Sequence, residues 1–298
     1  MKIPITFLGT SQAIPTEKRN HTAVLLKYKD ETILIDCGEG TQRQFRKAKL
    51  NPCRLTRILI THWHGDHILG LPGLFQTLAL SNYPKTLYIY GPRGTKRFIN
   101  EIYKMFIFVG GLKLEVREVN GKFFENQDFY LEATPLKHGA GVNGYSFVEK
   151  DKIRLNKNKL KKLKLPNSHL LKKLQQGKNI KYKGKTIKAK DINYLEKGKK
   201  ITFLWDTVLF KNCYKAAKNS DLLISESNFT EKEADLAKKY KHLTAKQAAQ
   251  IAKKSKSKKL ILTHTSQRYE NSEEIILNEA KKIFKNTILA EDLMKVEV

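Results

Sequence analysis

The chain has 298 residues, 40% of them hydrophobic, and this is enough to bury a large core, so general disorder is excluded. Its formal net charge of +28 indicates a polyanionic partner. No apolar run approaches the roughly 20 residues that span a bilayer, and the N-terminal apolar stretch is too short for a secretion signal.

Short apolar runs bounded by Gly, Pro, Asn or Asp predict strands along most of the chain. Up to residue 150 these are IPITFLG, TAVLLKY, TILIDCG, RILITH, TLYIYG, LKLEVREV, FYLEAT and GYSFVE, and after residue 200 they are KITFLWD, DLLISES and KLILTH. Helical patterns lie at about 41–49, 69–80, 94–106, 231–240, 244–254 and 272–284. Asn271-Ser272 is typical of a helix N-terminus before the last of them. Early hairpins followed by strand–helix alternation predict an α/β fold with mixed sheets covered by helices.

Residues 150–200 interrupt this pattern. They contain 19 Lys and Arg against three acids, a net charge of +16, so about a sixth of the chain carries more than half of its charge. A uniform lysine bias would not concentrate charge in this way. We expect an insertion that projects from the core with one short helix and a hairpin; a disordered basic loop is the alternative. No amphipathic anchor helix accompanies the charge, which favours nucleic acid over a membrane surface.

The segment ILITHWHGDHILG, residues 58–70, contains three of the eight histidines and an aspartate. Ionisable side chains end the strand-like runs here and at three later places. In chain order they are His62, Asp206, Glu226 and His264. Because sites in open α/β sheets form beyond the carboxyl ends of strands, this repeated pattern predicts that the four side chains belong to one site.

The spacing around His62 is typical of a metal site. His62 and His64 are two residues apart, so an extended backbone places their rings on one face. Asp66 and His67 follow the flexible Gly65 and are free to turn toward a second ion. A mixture of imidazole and carboxylate favours zinc, with manganese or iron as alternatives.

Three more distant side chains complete the two predicted metal sites. Asp206 bridges both ions, His138 completes the first site and His264 the second. Ordinary structural histidines remain a good interpretation of His21 and His169, and for His138 taken alone that alternative is open.

The motif HxHxDH, followed at wide intervals by single His, Asp and His residues, resembles the metallo-β-lactamase superfamily. The flanking sequence is similar to the short form of ribonuclease Z, the tRNA 3′-processing endoribonuclease. The segments that carry this resemblance, in order along essentially the whole chain, are FLGTSQAIPTEKRN, LIDCGEGTQRQ, THWHGDHILGLPGL, HGAGVNGYSF, ISESNF, HLTAKQAA and LTHTSQRY. The resemblance implies an αβ/βα sandwich of two mixed sheets in one domain over 1–298, with 150–200 as an inserted flexible arm.

The resemblance also implies roles for particular residues. One zinc takes His62, His64 and His138; the other takes Asp66, His67 and His264; Asp206 is shared. A hydroxide between two Zn²⁺ ions, or Mn²⁺ ions, is then the nucleophile, oriented by Asp66. The residues implied in binding precursor tRNA are Lys18, Arg19, Asn20, Ser266, Arg268, Lys161, Lys162, Lys172 and Lys173. The arm clamps the tRNA elbow, reaching it from the other subunit of a homodimer.

His242 is not among the seven implied metal ligands. It lies two residues before Thr244, which with Gln247 fits a capping box opening a helix. An ordinary surface histidine is one interpretation. The alternative is a general acid, because cutting RNA to leave a 3′-hydroxyl expels an alkoxide that needs a proton. Glu226 is the candidate partner that keeps the imidazole protonated, and this pairing matches the family pattern.

Three positions depart from the ribonuclease Z pattern. The PxKxRN loop of the family corresponds here to residues 15–20, with its lysine one place late, at Lys18. Near the tip of the arm, Pro166-Asn167 stands where a Gly-Pro pair is usual. Trp205 replaces the usual glycine before the shared aspartate. None of these departures removes a metal ligand.

Two other classes of function are weighed against this one. A phosphodiesterase or hydrolase for small molecules does not need a long basic arm. An RNA-binding protein with a structural zinc would have a closed site of four ligands, whereas seven candidate ligands for two ions leave room for water. The scattered cysteines, Cys37, Cys53 and Cys213, indicate a reducing, cytoplasmic location.

Overall fold

The computed structural model describes residues 2–107, 110–139 and 141–298; Ala140, within the motif HGAGVNGYSF, lies outside the described residues. The strands are β1 (Pro4–Gly9), β2 (Ala23–Tyr28), β3 (Glu31–Ile35), β4 (Arg57–Leu59), β5 (Thr86–Gly91), β6 (Lys113–Glu118), β7 (Gly121–Glu125), β8 (Phe129–Pro135), β9 (Asn143–Glu149), β10 (Lys152–Leu155), β11 (Ile180–Tyr182), β12 (Lys185–Ile187), β13 (Asn193–Glu196), β14 (Lys200–Leu204), β15 (Leu222–Glu226), β16 (Leu260–Thr263), β17 (Thr287–Leu289) and β18 (Lys295–Glu297).

The α-helices are α1 (Thr41–Lys47), α2 (Gly65–Ile68), α3 (Leu71–Leu80), α4 (Thr95–Met105), α5 (Lys157–Lys162), α6 (His169–Gln175), α7 (Ala189–Ile192), α8 (Lys211–Ala217), α9 (Ala234–Tyr240), α10 (Ala245–Lys254) and α11 (Glu274–Lys281). Short 3₁₀ turns occur at Pro52–Arg54, Glu231–Glu233 and Gln267–Tyr269. None of the helices in the described part of the chain is both long and apolar enough to cross a bilayer.

Most strands belong to two seven-stranded sheets. Their spatial orders are β18-β1-β2-β3-β4-β5-β6 and β17-β16-β15-β14-β9-β8-β7. In the first sheet the pairs from β18 to β3 are antiparallel and those from β3 to β6 are parallel. The second sheet repeats this plan, antiparallel from β7 to β14 and parallel from β14 to β17. The predicted α/β class with two mixed sheets is confirmed.

The two sheets pack face to face through one buried cluster, in which Phe7 and Ile35 of the first sheet join Phe147 and Phe203 of the second. The outer face of the first sheet packs against α1, α3 and α4. The outer face of the second packs against α8, α10 and α11. Strands covered on both faces need apolar residues throughout, and all five residues of β15 are buried. The layers form the αβ/βα sandwich that the sequence predicts.

The parallel halves of the sheets position the polar strand ends. Asp36 directly follows β3, Asp206 lies two residues after β14, and His264 directly follows β16. Glu226 is the last residue of β15, and His62 follows β4 by three residues. The site is therefore built where the parallel strands of both sheets end.

Residues 152–196 form a small folded arm. β10 pairs with β13, with Lys152 opposite Glu196, and this ribbon leads to α5, α6, the β11–β12 hairpin and α7. The arm has its own buried apolar cluster, which contains Leu174, Ile180 and Ile192. The expectation of one short helix underestimated the arm, because its leucines are interleaved with lysines in helices of only six or seven residues. The alternative of a disordered loop is contradicted.

Other differences from the sequence prediction concern short or edge elements. Helix α8 was missed, since its seven residues bury only Cys213, Ala216 and Ala217 and show weak periodicity. Strands β17 and β18 are edge strands of three residues each. The last helix begins at Glu274, not at Asn271-Ser272, because the Ser272 amide still donates to the Tyr269 carbonyl of the preceding turn, at 2.8 Å.

Candidate metal centre and active site

The segment after β4 presents four candidate ligands within six residues. His62 is buried, and His64 is the exposed N-cap of α2. Asp66 and His67 lie in the first turn of that helix and are both buried. The backbone changes from extended to helical at Gly65. His62 and His64 before this point and Asp66 and His67 after it can therefore face a common site.

His62, His64, His138 and Asp206 form the first candidate metal cluster. His138 Nε2 lies 3.3 Å from His64 Nδ1. Asp206 Oδ2 lies 3.4 Å from His62 Nε2 and 3.7 Å from His138 Nε2. The other ring nitrogen of His138 lies 3.0 Å from the carbonyl oxygen of Lys241, so the ring is held with Nε2 toward the cluster.

Asp66, His67 and His264 form the second cluster. His67 Nε2 lies 3.2 Å from both His264 Nε2 and Asp66 Oδ2. Asp206 reaches this cluster too, with Oδ1 3.3 Å from His264 Nε2 and Oδ2 3.6 Å from His67 Nε2. One carboxylate therefore contacts both clusters, which is the position a shared ligand must occupy.

The spacing of these atoms fits tetrahedral metal ions. Bonds of about 2.0–2.1 Å to imidazole nitrogen or carboxylate oxygen place ligand atoms about 3.4 Å apart in a tetrahedron. The contacts given above, from 3.2 to 3.7 Å, bracket that value. Within the described residues, the buried atoms His62 Nε2 and Asp206 Oδ1 have no hydrogen-bond partner. Buried polar atoms are costly when unpaired, so the donor set fits a metal cation.

The electrostatics of the clusters also favour a cation. Burial, with repulsion from neighbouring imidazoles, lowers the pKa of His62 well below its usual value, which leaves its lone pair free. Burial opposes protonation of His67, but three surrounding carboxylates outweigh it and raise the pKa of His67 well above the ordinary value. These are Asp206, Asp66 and Asp36. Carboxylates gathered around a buried imidazole attract positive charge, which a metal ion bound there would supply.

Asp36 supports the second cluster through a contact with the Nδ1 atom of His67, a role that the sequence prediction missed. Its Oδ2 lies 2.7 Å from His67 Nδ1 and accepts hydrogen bonds of 2.7 Å from Thr61 Oγ1 and Trp205 Nε1. The carboxylate thereby holds the proton of His67 on Nδ1 and leaves Nε2 for a ligand role. Trp205, the departure noted before the shared aspartate, serves here as a third donor. The available signal was that Asp36 also follows a strand-like run, TILI.

Three residues of the site have left-handed backbone conformations. Asp36, Asp206 and His264 have φ values of 57°, 57° and 55°. Such angles cost free energy in residues other than glycine and persist where the surroundings over-determine them. Each residue turns the chain sharply just beyond a parallel strand, which directs its side chain back over the strand ends.

His242 and Glu226 form a hydrogen-bonded pair beside both clusters. His242 Nδ1 lies 2.8 Å from Glu226 Oε2, and Glu226 Oε1 accepts from the Thr207 amide at 2.7 Å. The His242 ring is 4.9 Å from the ring of His138 and 5.7 Å from that of His264, between centroids. Burial opposes protonation, but attraction and the hydrogen bond to Glu226 outweigh it and raise the pKa of His242 to about 9. A protonated imidazole therefore faces the clusters.

The capping box predicted after His242 is confirmed. Thr244 Oγ1 accepts from the Gln247 amide, and the Thr244 amide donates to Gln247 Oε1 at 3.1 Å. The cap begins α10 and uses no atom of the His242 side chain. His242 is therefore free to act in the site.

The residues predicted to bind substrate occupy three places. Ser266 and Arg268 line a cavity of about 390 Å³ together with His64, His138 and His242. Through His64 and His138 the first ligand cluster opens into this cavity.

The loop of residues 15–20 is tied to the fold. Lys18 stays at the surface, where its Nζ donates to Asn271 Oδ1 at 2.9 Å. The side-chain Nδ2 of Asn20 donates to the Glu39 carbonyl at 2.6 Å. Arg19 is instead buried and donates to Thr10 Oγ1 and to the Ala290 carbonyl, both at 2.7 Å. Arg19 therefore acts on the loop by anchoring it.

The four predicted lysines of the arm lie on its two longer helices. Lys161 and Lys162 belong to α5, Lys172 and Lys173 to α6, and all four are exposed. None of them lines the cavity of the ligand clusters. They form part of a separate basic surface.

The sandwich of two mixed sheets, with two His/Asp clusters at the ends of its parallel strands, defines a metallo-β-lactamase-fold hydrolase. The solved metallo-β-lactamase fold protein YhfI from Bacillus subtilis is similar to it, with a TM-score of 0.71, 17% identity and 100% of both chains covered. Human tRNase Z, short form, also has a TM-score of 0.71, at 29% identity over 98% of both chains.

Sequence comparison narrows the family. The family model described as Anti-Pycsar protein Apyc1 matches residues 3–276. Ribonuclease Z of Methanosarcina mazei is 37% identical over 99% of this chain and 97% of its own length. Ribonuclease Z of Methanothermobacter thermautotrophicus is 38% identical over 99% and 96%. The chain therefore belongs to the sequence family that this model describes. Its relatives, matched over nearly the whole of both chains, show that it belongs to the ribonuclease Z family.

Proposed function

We propose that this protein is a zinc-dependent endoribonuclease that removes the 3′ trailer from precursor tRNA. It cuts after the discriminator nucleotide, leaving a 3′-hydroxyl on the tRNA and a 5′-phosphate on the trailer. The observation that carries the proposal is that two ligand clusters joined by Asp206 lie beside the His242–Glu226 pair, with His64, His138 and His242 lining one cavity. Bound metal ions activate water and stabilise charge on the phosphoryl group, and a positioned proton donor assists departure of the leaving oxygen.

The proposed cofactor is two zinc ions per chain, with manganese as an alternative. His62, His64 and His138 would hold one ion, Asp66, His67 and His264 would hold the other, and Asp206 would be shared. Zinc held there would supply the Lewis acidity that activates water and neutralises charge on the phosphoryl oxygens.

The protein side chains carry the proton transfers. Burial opposes charge on Asp66, but attraction to His67 outweighs it and lowers the pKa of Asp66, so it is ionised and orients the attacking water as a hydrogen-bond acceptor. His242 donates a proton to the 3′-oxygen as the bond from phosphorus to that oxygen breaks. Glu226, fully buried, keeps His242 protonated and its Nε2 directed at the site.

The arm supplies the second part of substrate recognition. Its charge, 19 Lys and Arg against three acids over residues 150–200, suits the closely spaced phosphates of a folded tRNA. Phosphate contacts position a nucleic acid without reading its sequence, which is what an enzyme acting on many tRNAs requires. We further propose that the protein is cytoplasmic and works as a homodimer, in which the arm of one subunit holds the tRNA cut by the other.

Incubation with a precursor tRNA bearing a 3′ trailer tests the proposal. We expect cleavage after the discriminator nucleotide with Zn²⁺ or Mn²⁺, with product ends mapped as a 3′-hydroxyl and a 5′-phosphate. Asp206→Ala, purified in the same way, is the control for a contaminating nuclease. Absence of cleavage by the metal-loaded wild type would contradict the proposal. Rapid hydrolysis of small phosphodiesters without cleavage of precursor tRNA would favour a small-substrate phosphodiesterase instead.

A further inference from the structure

Two aromatic rings that the proposed chemistry does not use line the cavity of the ligand clusters. Phe229 follows β15, and Tyr240 is the last residue of α9. Their ring planes are 11° from parallel, with centroids 6.4 Å apart. Phe229 is only 4% exposed, whereas Tyr240 is 52% exposed. Phe229 is thus a buried support, and Tyr240 is a stacked ring that remains accessible.

The chain around Tyr240 is fixed to the catalytic residues. Lys241 adopts a left-handed conformation, with φ of 60°, that ends α9. Its carbonyl oxygen lies 3.0 Å from His138 Nδ1, and the next residue, His242, is held by Glu226 at 2.8 Å. The position of the Tyr240 ring is therefore set relative to the proton donor within two residues.

We propose that Tyr240, supported by Phe229, is a stacking platform for the base of the discriminator nucleotide. The inference rests on the proposed function. His242 protonates the 3′-oxygen of the nucleotide that stays on the tRNA, so the ribose of that nucleotide lies beside the His242 ring. The Phe229 ring is 6.2 Å from the His242 ring, between centroids, which places the aromatic pair next to that ribose. Unpaired bases in RNA are commonly held by stacking on such rings.

Two cations flank the aromatic pair. The Arg268 guanidinium carbon lies 5.0 Å from the centroid of the Phe229 ring, and Lys239 Nζ lies 5.5 Å from that of the Tyr240 ring. Both side chains are exposed; Arg268 also donates to Ser266 Oγ at 3.2 Å and lies 3.9 Å from Glu233, which holds its guanidinium beside the rings. The two cations therefore lie where the phosphates on either side of a stacked base would pass. The surroundings of the platform therefore suit a nucleotide better than an apolar ligand.

Stacking reads the face of a base and not its edges, so the platform accepts all four discriminator bases. Purines offer the larger face and bind more tightly. The inferred subsite thus fixes the register of the cut without restricting the enzyme to one class of tRNA.

The test compares a precursor tRNA with an otherwise identical one that lacks the discriminator base. Tyr240→Leu removes the aromatic face, Tyr240→Phe keeps it, and Tyr214→Leu is the matched control, since Tyr214 also has a lysine ammonium near its ring, at 5.7 Å. We expect Tyr240→Leu to lower kcat/KM on the intact substrate by about tenfold or more, the usual effect of losing one base stack. Tyr240→Phe and Tyr214→Leu should stay near the wild type.

On the abasic substrate, Tyr240→Leu and the wild type should have the same kcat/KM, because the partner of the ring is gone. An equal loss by Tyr240→Leu on both substrates, or no loss on either, would overturn the inference. Metal content and melting temperature of each variant show whether a loss comes from misfolding. If Tyr240→Leu is misfolded, Tyr240→Phe decides the result, because a large loss by this variant on the intact substrate would contradict stacking on the aromatic face. Failure of the wild type to cut the intact precursor would instead defeat the proposed function, and the inference with it.

Discussion

Replacement of His242 by alanine removes the proposed proton donor and leaves both ligand clusters in place. Although burial opposes protonation, Glu226 raises the pKa of His242 to about 9, so its imidazole is mainly protonated at pH 7. The protonated ring can therefore supply a proton to the leaving 3′-oxygen. A positioned general acid contributes about 10²- to 10⁴-fold to the rate. We expect a loss of turnover in that range, with unchanged metal content.

Single-turnover cleavage of two substrates measures this effect. The first is a normal precursor tRNA; in the second, sulfur replaces the 3′-bridging oxygen and leaves without a proton. His242→Ala should be slow on the first and close to the wild type on the second. His242→Gln is the matched control, because it can still hydrogen-bond to Glu226 but cannot act as an acid, and it should behave as alanine does. Equal losses on both substrates would refute the assignment of His242 as the acid.

Four other variants test separate parts of the site. Asp206→Ala should release both metal ions, and elemental analysis that found one tightly held ion in a fully active variant would contradict its shared position. Replacement of residues 156–192 by a short glycine turn, which keeps the β10–β13 ribbon, should weaken precursor binding and flatten its salt dependence by about 0.9 in log–log slope per lost phosphate contact, while bis(p-nitrophenyl) phosphate is still hydrolysed. Trp205→Phe removes one hydrogen bond to Asp36, which holds His67. In a zinc titration it should therefore weaken the site of Asp66, His67 and His264 more than the other site. Glu226→Gln removes the charge that raises the pKa of the adjacent imidazole, so the alkaline limb of the pH–rate profile should move to lower pH; an unmoved limb would contradict the pairing.

The architecture and much of the site follow from local sequence patterns. Apolar runs that end in His62, Asp206, Glu226 or His264 are strands, and parallel packing brings their ends together. The capping box at Thr244 was readable because it depends on two residues three apart. These features are encoded by periodicity and spacing within a few residues.

The features that were missed depend on contacts between distant residues. Asp36 meets His67 across 31 positions and Trp205 across 169, and no local pattern records either contact. The pairing of Phe229 with Tyr240 requires the turn after β15 and the end of α9 to meet in space. The small core of the arm was hidden because its few buried residues, among them Leu174, Ile180 and Ile187, are scattered through a lysine-rich segment. Tertiary packing, which a single sequence does not show, decided these cases.

Cleavage in water enriched in oxygen-18 tests the central claim most directly, since that claim is attack by water at phosphorus with departure of the tRNA 3′-oxygen. After one turnover, mass spectrometry should find a single heavy oxygen in the 5′-phosphate of the trailer and none in the 3′-hydroxyl of the tRNA. A heavy oxygen on the tRNA end, or a 2′,3′-cyclic phosphate there, would contradict the roles assigned to Asp66 and His242.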